Sequence, residues 1–208
     1  MAQGYFITFE GIEGSGKTTQ IKLLYKFLTE KGREVEYTRE PGGTEIGRKI
    51  REILLDPHYD IMDYKAEILL YAADRAQDMK ENIIPALKEG KIILSDRFVD
   101  SNLAYQAYGR GLDYKTVYSI NKWVVDPYWP DLTFILDIEI KQGLMRARSI
   151  SNDQTGDRLE REGDYFHQRV RKGYLKMAEE DRFVVVDAGG ETENVHAQIK
   201  KIISRRLL

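Results

Sequence analysis

The chain has 208 residues, 42% hydrophobic and 32% charged, a balance that supports one folded domain and excludes a disordered polar chain. Its 32 basic and 34 acidic side chains leave a formal net charge of −2, so no global positive field points to nucleic acid and any anion site must be local. Cysteine is absent, which excludes disulfides, thiolate catalysis and a Cys-based zinc site, and is compatible with a reducing cytoplasm.

The N-terminus, Met1-Ala2-Gln3-Gly4, has no basic leader and runs into a short apolar segment. No later stretch is long and apolar enough to span a bilayer, so the expectation is a cytoplasmic protein without a membrane partner. In chain order, residues 5–10 read as a strand, 18–31 as a helix, 34–38 as a strand and 63–89 as a long helix. Residues 91–96 read as a strand, 113–125 as a helix and 132–137 as a strand. Helical patterns at 141–148 and 165–180 precede a last strand at 183–187 and a last helix at 191–205. Four of the five strand runs are nearly continuously apolar and end in a carboxylate, as buried parallel strands often do. Strands alternating with helices predict a three-layer α/β/α sandwich on a five-stranded parallel sheet, with ligands at the carboxyl ends of the strands. One domain over 1–208 is expected, interrupted only by the polar stretch 149–156, Ser-Ile-Ser-Asn-Asp-Gln-Thr-Gly. That stretch is expected to be the centre of a mobile lid at about 146–161.

Between the first strand and the first helix, Gly11-Ile12-Glu13-Gly14-Ser15-Gly16-Lys17-Thr18 fits the phosphate-binding pattern G-x-x-x-x-G-K-[ST], and Thr19 follows it. Glycines let backbone N–H groups approach phosphate oxygens, and the helix N-terminus adds a favourable dipole. Lys17 can reach the β- and γ-phosphates, and the Thr18 hydroxyl can ligate Mg²⁺. The motif predicts a P-loop NTPase-type fold that binds ATP. It does not separate a kinase from a GTPase or a motor ATPase.

Asp96 and Arg97 close the third strand at the ligand edge. A guanidinium there can hold phosphate bidentately, and the neighbouring carboxylate can bind Mg²⁺ directly or through water. Tyr71 and Arg75 lie four residues apart, hence on one helical face. By themselves Tyr71 could be a core aromatic, Asn102 a cap, Tyr105 a core residue and Gln106 a surface amide. A Pro-Gly turn accounts equally well for residues 41–44.

Taken together, the P-loop, Thr38-Arg39-Glu40-Pro41-Gly42-Gly43-Thr44, Leu69-Leu70-Tyr71-Ala72-Ala73-Asp74-Arg75-Ala76-Gln77, Ser95-Asp96-Arg97-Phe98, Ser101-Asn102-Leu103-Ala104-Tyr105-Gln106 and Asp157-Arg158-Leu159-Glu160 resemble bacterial thymidylate kinase in order along nearly the whole chain. The resemblance implies transfer of the γ-phosphoryl group of ATP to dTMP, with Mg²⁺, in a homodimer. It implies an ATP site at Gly11, Ile12, Glu13, Gly14, Ser15, Gly16, Lys17, Thr18 and Thr19, and metal contacts at Thr18 and Asp96. It places the dTMP site at Glu13 (sugar 3′-hydroxyl), Arg39, Pro41, Tyr71 (stacking on the base), Arg75 (its O4), Arg97 (the monophosphate), Asn102, Tyr105 (crowding the 2′ position) and Gln106. The family commonly has Phe where this chain has Tyr71, and some members have Arg where it has Gly14. An arginine-poor P-loop implies that lid cations among Arg146, Arg148, Arg158 and Arg161 meet the transferring phosphate, with Arg158 first and Arg148 second. The expected catalytic set is therefore Lys17, Arg97, Arg158 and Arg148. A kinase for another acceptor remains an alternative, as does a P-loop switch. The latter lacks support from an Asn-Lys-x-Asp segment, because Asn121-Lys122 runs on to Trp123-Val124.

Overall fold

A computed structural model describes residues 4–150 and 157–208. Five parallel strands form one sheet in the order β2-β3-β1-β4-β5, with β1 at Tyr5–Glu10, β2 at Val35–Arg39, β3 at Ile92–Asp96, β4 at Leu132–Asp137 and β5 at Phe183–Asp187. The register pairs Phe9 with Asp96 and with Phe134, so the P-loop side of β1 and the Asp96-Arg97 end of β3 emerge side by side. The expected sheet and layers are present, with strand boundaries shifted by at most one residue. The central strands are buried on both faces, whereas edge strands β2 and β5 mix buried and exposed positions. That difference explains why β2 carries polar and charged side chains.

The helices follow their local signals. α1 (Lys17–Glu30) starts after Gly16, whose φ of 88° turns the P-loop into the helix. The Thr44 hydroxyl accepts from Gly47 N at the start of α2 (Glu45–Leu55), and Asp63 and Asp113 cap α3 (Tyr64–Asp78) and α6 (Tyr114–Val125) in the same manner. The long helix expected at 63–89 is α3 continued by a π-type turn at Met79–Ile83 and by α4 (Ile84–Lys88). α7 covers Ile140–Ile150, α8 Asp164–Met177 and α9 Thr192–Leu207.

Besides a single 3₁₀ turn at Pro57–Tyr59, two helical segments went unread in the sequence. α2 carries Ile46, Ile50, Ile53 and Leu54 at helical spacing behind its Thr44 cap, a signal masked by the turn residues before it. α5 (Val99–Asn102) runs directly into a π-type turn at Leu103–Gly109, and nearly all of this stretch is buried. The wider turn brings Asn102, Tyr105 and Gln106 to one cavity, a use of π geometry common at functional sites. Residues 151–156, the centre of the expected lid, lie outside the described residues.

α8 packs tightly on the π-type turn. A Cβ at Gly173 would stand 2.7 Å from the Tyr108 ring and 2.9 Å from its Cβ. Helix propensity favours alanine over glycine by roughly 1 kcal/mol, but overpacking against the root of a side chain costs about 1–3 kcal/mol. Gly173→Ala is therefore expected to lower stability by about 1 kcal/mol, read as a lower urea midpoint with an unchanged slope.

Candidate active site

A cleft of about 840 Å³ opens at the carboxyl ends of the strands. Every P-loop residue from Glu13 to Thr19 lines it, as do Arg39, Pro41, Tyr71, Arg75, Asp96, Arg97, Asn102, Tyr105 and Gln106. Gly11 and Ile12 lie behind the loop, where their carbonyl oxygens accept from Lys17 Nζ at 3.0 and 2.8 Å. Lys17 Nζ also donates to Ser15 Oγ at 3.2 Å, so the ammonium is held inside the curl of its own loop. Burial and the neighbouring Arg97 charge bring its pKa down to about 8, against the opposing pull of Asp96, Glu13 and Glu10.

Arg97 is the one non-glycine residue among those described with positive φ, at 70°. Such a backbone persists only where its surroundings over-determine it. Here the Arg97 N–H donates to Phe9 O at 3.0 Å and its carbonyl accepts from Ser95 Oγ at 2.7 Å. The guanidinium crosses to Glu13 Oε1 at 3.0 Å and Gly11 O at 3.1 Å, and lies 5.1 Å from the centre of the Tyr105 ring. Tyr105 also donates to Glu13 Oε1, at 2.6 Å. Burial alone would raise the Glu13 carboxyl. Arg97, Lys17, His167 and the Tyr105 hydrogen bond together hold it below the ordinary range.

The Thr18 hydroxyl donates to Asp96 Oδ2, so these two oxygens meet at the mouth of the P-loop. Two protein oxygens beside a phosphate cradle suit a hard octahedral cation that takes its remaining ligands from water and phosphate. Among the described residues no group of three or more His, Cys, Asp or Glu forms a metal cage.

At the other end of the cleft, the Arg75 side chain is only 1% exposed. It pairs with Glu40 at 2.7 Å and donates to Asn102 Oδ1 at 2.5 Å and to Asn121 Oδ1. Glu40 lies within the family-like segment 38–44 and Asn121 before Lys122, but neither carried an expected site role, since only the fold brings them to Arg75. Arg51 was missed because its helix was unread. It lines the cleft near Arg39 and donates to Pro41 O at 2.9 Å. Burial and then the nearby Arg39 charge lower its pKa.

The expected lid arginines separate. Arg158, expected at the transferring phosphate, is 5% exposed, pairs with Glu67 at 2.5 Å and donates to Leu54 O at 2.8 Å. A guanidinium committed to a buried carboxylate and a helix-terminal carbonyl is not a free phosphate finger, and Arg158 does not line the cleft. Arg148 is exposed near the end of α7 and also lies off the cleft wall. Arg146 lines the cleft, donating to Ala188 O at 2.9 Å and Gly189 O at 3.0 Å. The absence of arginine at Gly14 has a steric reason. With φ at 69°, a Cβ there would fall 1.9 Å from the Gly143 carbonyl oxygen on α7.

Beneath the cleft, Glu10 accepts from Phe98 N and Ser101 Oγ, both at 2.7 Å, and from the Tyr174 hydroxyl at 2.9 Å. Burial, followed by the Asp100 charge, raises its pKa to about 7, and burial raises Asp78 to about 6. Both groups bind protons more tightly folded than unfolded, so their contribution is present at low pH and is lost as pH rises. The affected window runs from their unfolded values, near 4, up to about 7. Stability is expected to fall by a few kcal/mol between pH 5 and 8. Glu10→Gln should flatten part of that slope in urea titrations at a series of pH values. An unchanged slope would mean that Glu10 does not take up a proton over this range.

Comparison with known proteins agrees along nearly the whole chain. The family model described as thymidylate kinase matches residues 9–199. The thymidylate kinase of Halothermothrix orenii is 58% identical over 197 residues, 95% of either chain. That of Carboxydothermus hydrogenoformans is 50% identical over 198 residues, 95% of this chain and 96% of the relative. The crystal structure of thymidylate kinase from Ehrlichia chaffeensis superposes with a TM-score of 0.76 at 34% identity, covering 97% of this chain and 99% of that one. A P-loop, an anion cleft and an amide-and-arginine pocket on one parallel sheet, together with this similarity from end to end, show that the chain belongs to the thymidylate kinase family.

Proposed function

We propose that the protein transfers the γ-phosphoryl group of ATP to dTMP, giving ADP and dTDP, a step of nucleotide biosynthesis. The observation that carries this reading is the two-ended cleft. A phosphate cradle from Glu13 to Thr19 faces a buried pocket of Tyr71, Arg75, Asn102 and Gln106, with Arg97 between them. ATP phosphates would lie along the P-loop N–H groups and Lys17. The dTMP phosphate would meet Arg39, Arg51 and Arg97, whose charges keep the two phosphates from repelling each other. A phosphate oxygen of dTMP is already anionic, so no strong general base is needed, and positioning and electrostatics supply the catalysis. Thr18 and Asp96 would hold Mg²⁺, which on binding neutralises charge on the transferring phosphoryl group.

In the base pocket, Tyr71 would stack on thymine and Arg75 would donate to its O4. Arg75 Nε has no hydrogen-bond partner among the described residues, which leaves donor capacity beyond the contacts to Glu40 and the asparagines. Tyr105, fixed by Glu13, would crowd a 2′-hydroxyl, and Glu13 would meet the 3′-hydroxyl. With Arg158 committed elsewhere, Arg148 is the lid cation retained for the transferring phosphate, within a single domain whose lid spans about 146–161.

The reading extends to a homodimer in the cytoplasm. Leu69 is 57% exposed on α3, Ala73 and Ala76 are exposed on the same helical face, and Trp123 is 87% exposed on α6, which packs beside it. Such a small-residue and aromatic face suits close helix packing against a second copy. No helix among the described residues is long and apolar enough to cross a membrane.

Lys17→Ala should abolish transfer in a coupled ADP-release assay while the thermal transition is retained. Near-normal turnover would sink the P-loop assignment. The same assay should show a kcat/KM for dTMP far above that for dCMP, because the cytosine amino group puts a donor where Arg75 needs an acceptor. Leu69→Asp should shift sedimentation from dimer towards monomer. A monomeric wild type would remove the dimer reading alone.

A further inference from the structure

Glu67, in the first turn of α3, is 0% exposed and lies outside the binding residues named so far. Both its carboxylate oxygens are engaged. Oε1 accepts from Gln106 Nε2 at 2.8 Å and Arg110 Nε at 3.3 Å, and Oε2 meets Arg110 Nη2 at 3.3 Å and Arg158 Nη2 at 2.5 Å. From Glu67 a buried polar chain runs through the base pocket. Asn102 Nδ2 donates to Gln106 Oε1 at 3.0 Å, Arg75 Nη1 donates to Asn102 Oδ1 at 2.5 Å, and Arg75 Nη2 pairs with Glu40 at 2.7 Å. A carboxylate only accepts and a guanidinium only donates, so the two ends of this chain cannot reverse. An amide side chain has nearly the same shape in either orientation, and its direction is set by its neighbours. We propose that Glu67, gripped by Arg158 and Arg110, fixes the donor and acceptor direction of Gln106 and Asn102 and so is a specificity-determining positioning residue for the base. The inference rests on the dTMP reading above and adds to it.

Burial would raise the Glu67 carboxyl, but Arg110 and then Arg158 hold its pKa below the ordinary range. The acceptor end of the chain therefore stays ionised at physiological pH. This gives Arg158 a role: its side chain anchors a base-reading network through a buried ion pair, and its main-chain N–H secures the end of α2 by donating to Leu55 O at 3.2 Å. Glutamine at position 67 cannot accept the three hydrogen bonds from Gln106 and Arg110 and also neutralise the Arg158 guanidinium. The two arginines compete for its single oxygen, and its amide N–H₂ then faces the N–H₂ of Gln106. Gln106 must turn over or break from Asn102, and either change alters the polar edge offered to the base.

The test is the ratio of kcat/KM for dTMP to that for dCMP in Glu67→Gln, Arg158→Met and Arg158→Lys, with thermal unfolding followed in parallel. Glu67→Gln is expected to lower the ratio about tenfold or more, since sites built on buried hydrogen bonds discriminate through them. kcat at saturating dTMP should fall much less. Arg158→Met, which keeps an apolar stem without the charge, should also lower the ratio, and Arg158→Lys should restore most of it. Ile203→Ala, which opens a cavity on α9 away from the cleft lining, is the control for a purely structural defect and should leave the ratio unchanged. A folded Glu67→Gln protein with the wild-type ratio overturns the proposal. If Glu67→Gln does not fold, the Arg158 pair decides: a lower ratio for Met than for Lys supports it, and equal ratios overturn it. A wild type with no preference for dTMP removes the underlying reading as well, whereas an intact wild-type preference with unmoved variants removes only this inference.

Discussion

The Arg97–Glu13 ion pair joins the loop after β1 to the end of β3, and much of the cleft depends on it. Arg97 takes up a left-handed backbone that an unconstrained arginine would avoid, and three contacts hold it there: its own N–H on Phe9 O, Ser95 on its carbonyl, and Glu13 on its guanidinium. Glu13 in turn bends towards Tyr105 and His167, which lie on the π-type turn and on α8. One carboxylate thus ties the phosphate cradle to the wall that would face the sugar. Buried ion pairs contribute little net stability compared with apolar packing, but they define orientation where a misplaced charge is expensive. A site that must hold two polyanions in line has more need of orientation than of stability.

The same economy of space governs the P-loop. Gly14 lies so close to the Gly143 carbonyl that α7 and the loop touch backbone to backbone. A Cβ at Gly143 would also fall 2.7 Å from Glu13 O, so both glycines are needed for the contact. An arginine at position 14 would separate α7 from the loop. In the proposed reaction the further charge for the transferring phosphate would therefore come from Arg97 and from Arg148 in the last turn of α7, in addition to Lys17, rather than from an arginine in the cradle.

How legible this was depended on the range of each interaction. The sheet was readable because β1, β3 and β4 are apolar runs whose signal is local. The P-loop was readable because its glycines and Lys17 act within eight residues. The base pocket was visible as separate residues, but not as a network, because Glu67 meets Gln106 across 39 positions and Arg158 across 91. Arg158 was therefore assigned from its charge and its place in the family-like segment Asp157-Arg158-Leu159-Glu160. Its buried position follows from Glu67, whose carboxylate must be neutralised wherever the fold puts it. Glu67 itself reads in sequence as an ordinary acidic residue in the first turn of a helix, where the dipole alone would account for it. α2 was hidden for a different reason, since its cap and apolar spacing are local but follow directly on Pro41-Gly42-Gly43, residues that by themselves signal a turn.

Around the anion cleft, the arrangement repeats: Arg97 has Glu13, Arg75 has Glu40, and Arg158 with Arg110 has Glu67. Acids buried around a site for polyanions look counterproductive, since each lowers the local positive potential. An arginine with no acid behind it, however, could swing into the cleft and meet whatever phosphate arrived first. The paired acid fixes which face of the guanidinium is spent and which remains for a ligand, and it does so before the ligand binds. It also lets the chain concentrate cations around one cleft while its formal net charge stays at −2. The glutamates around the cleft would thus be part of how the site distinguishes one anion from another, and in the role proposed for it Glu67 applies the same device to uncharged amides, where the quantity fixed is the direction of a hydrogen bond.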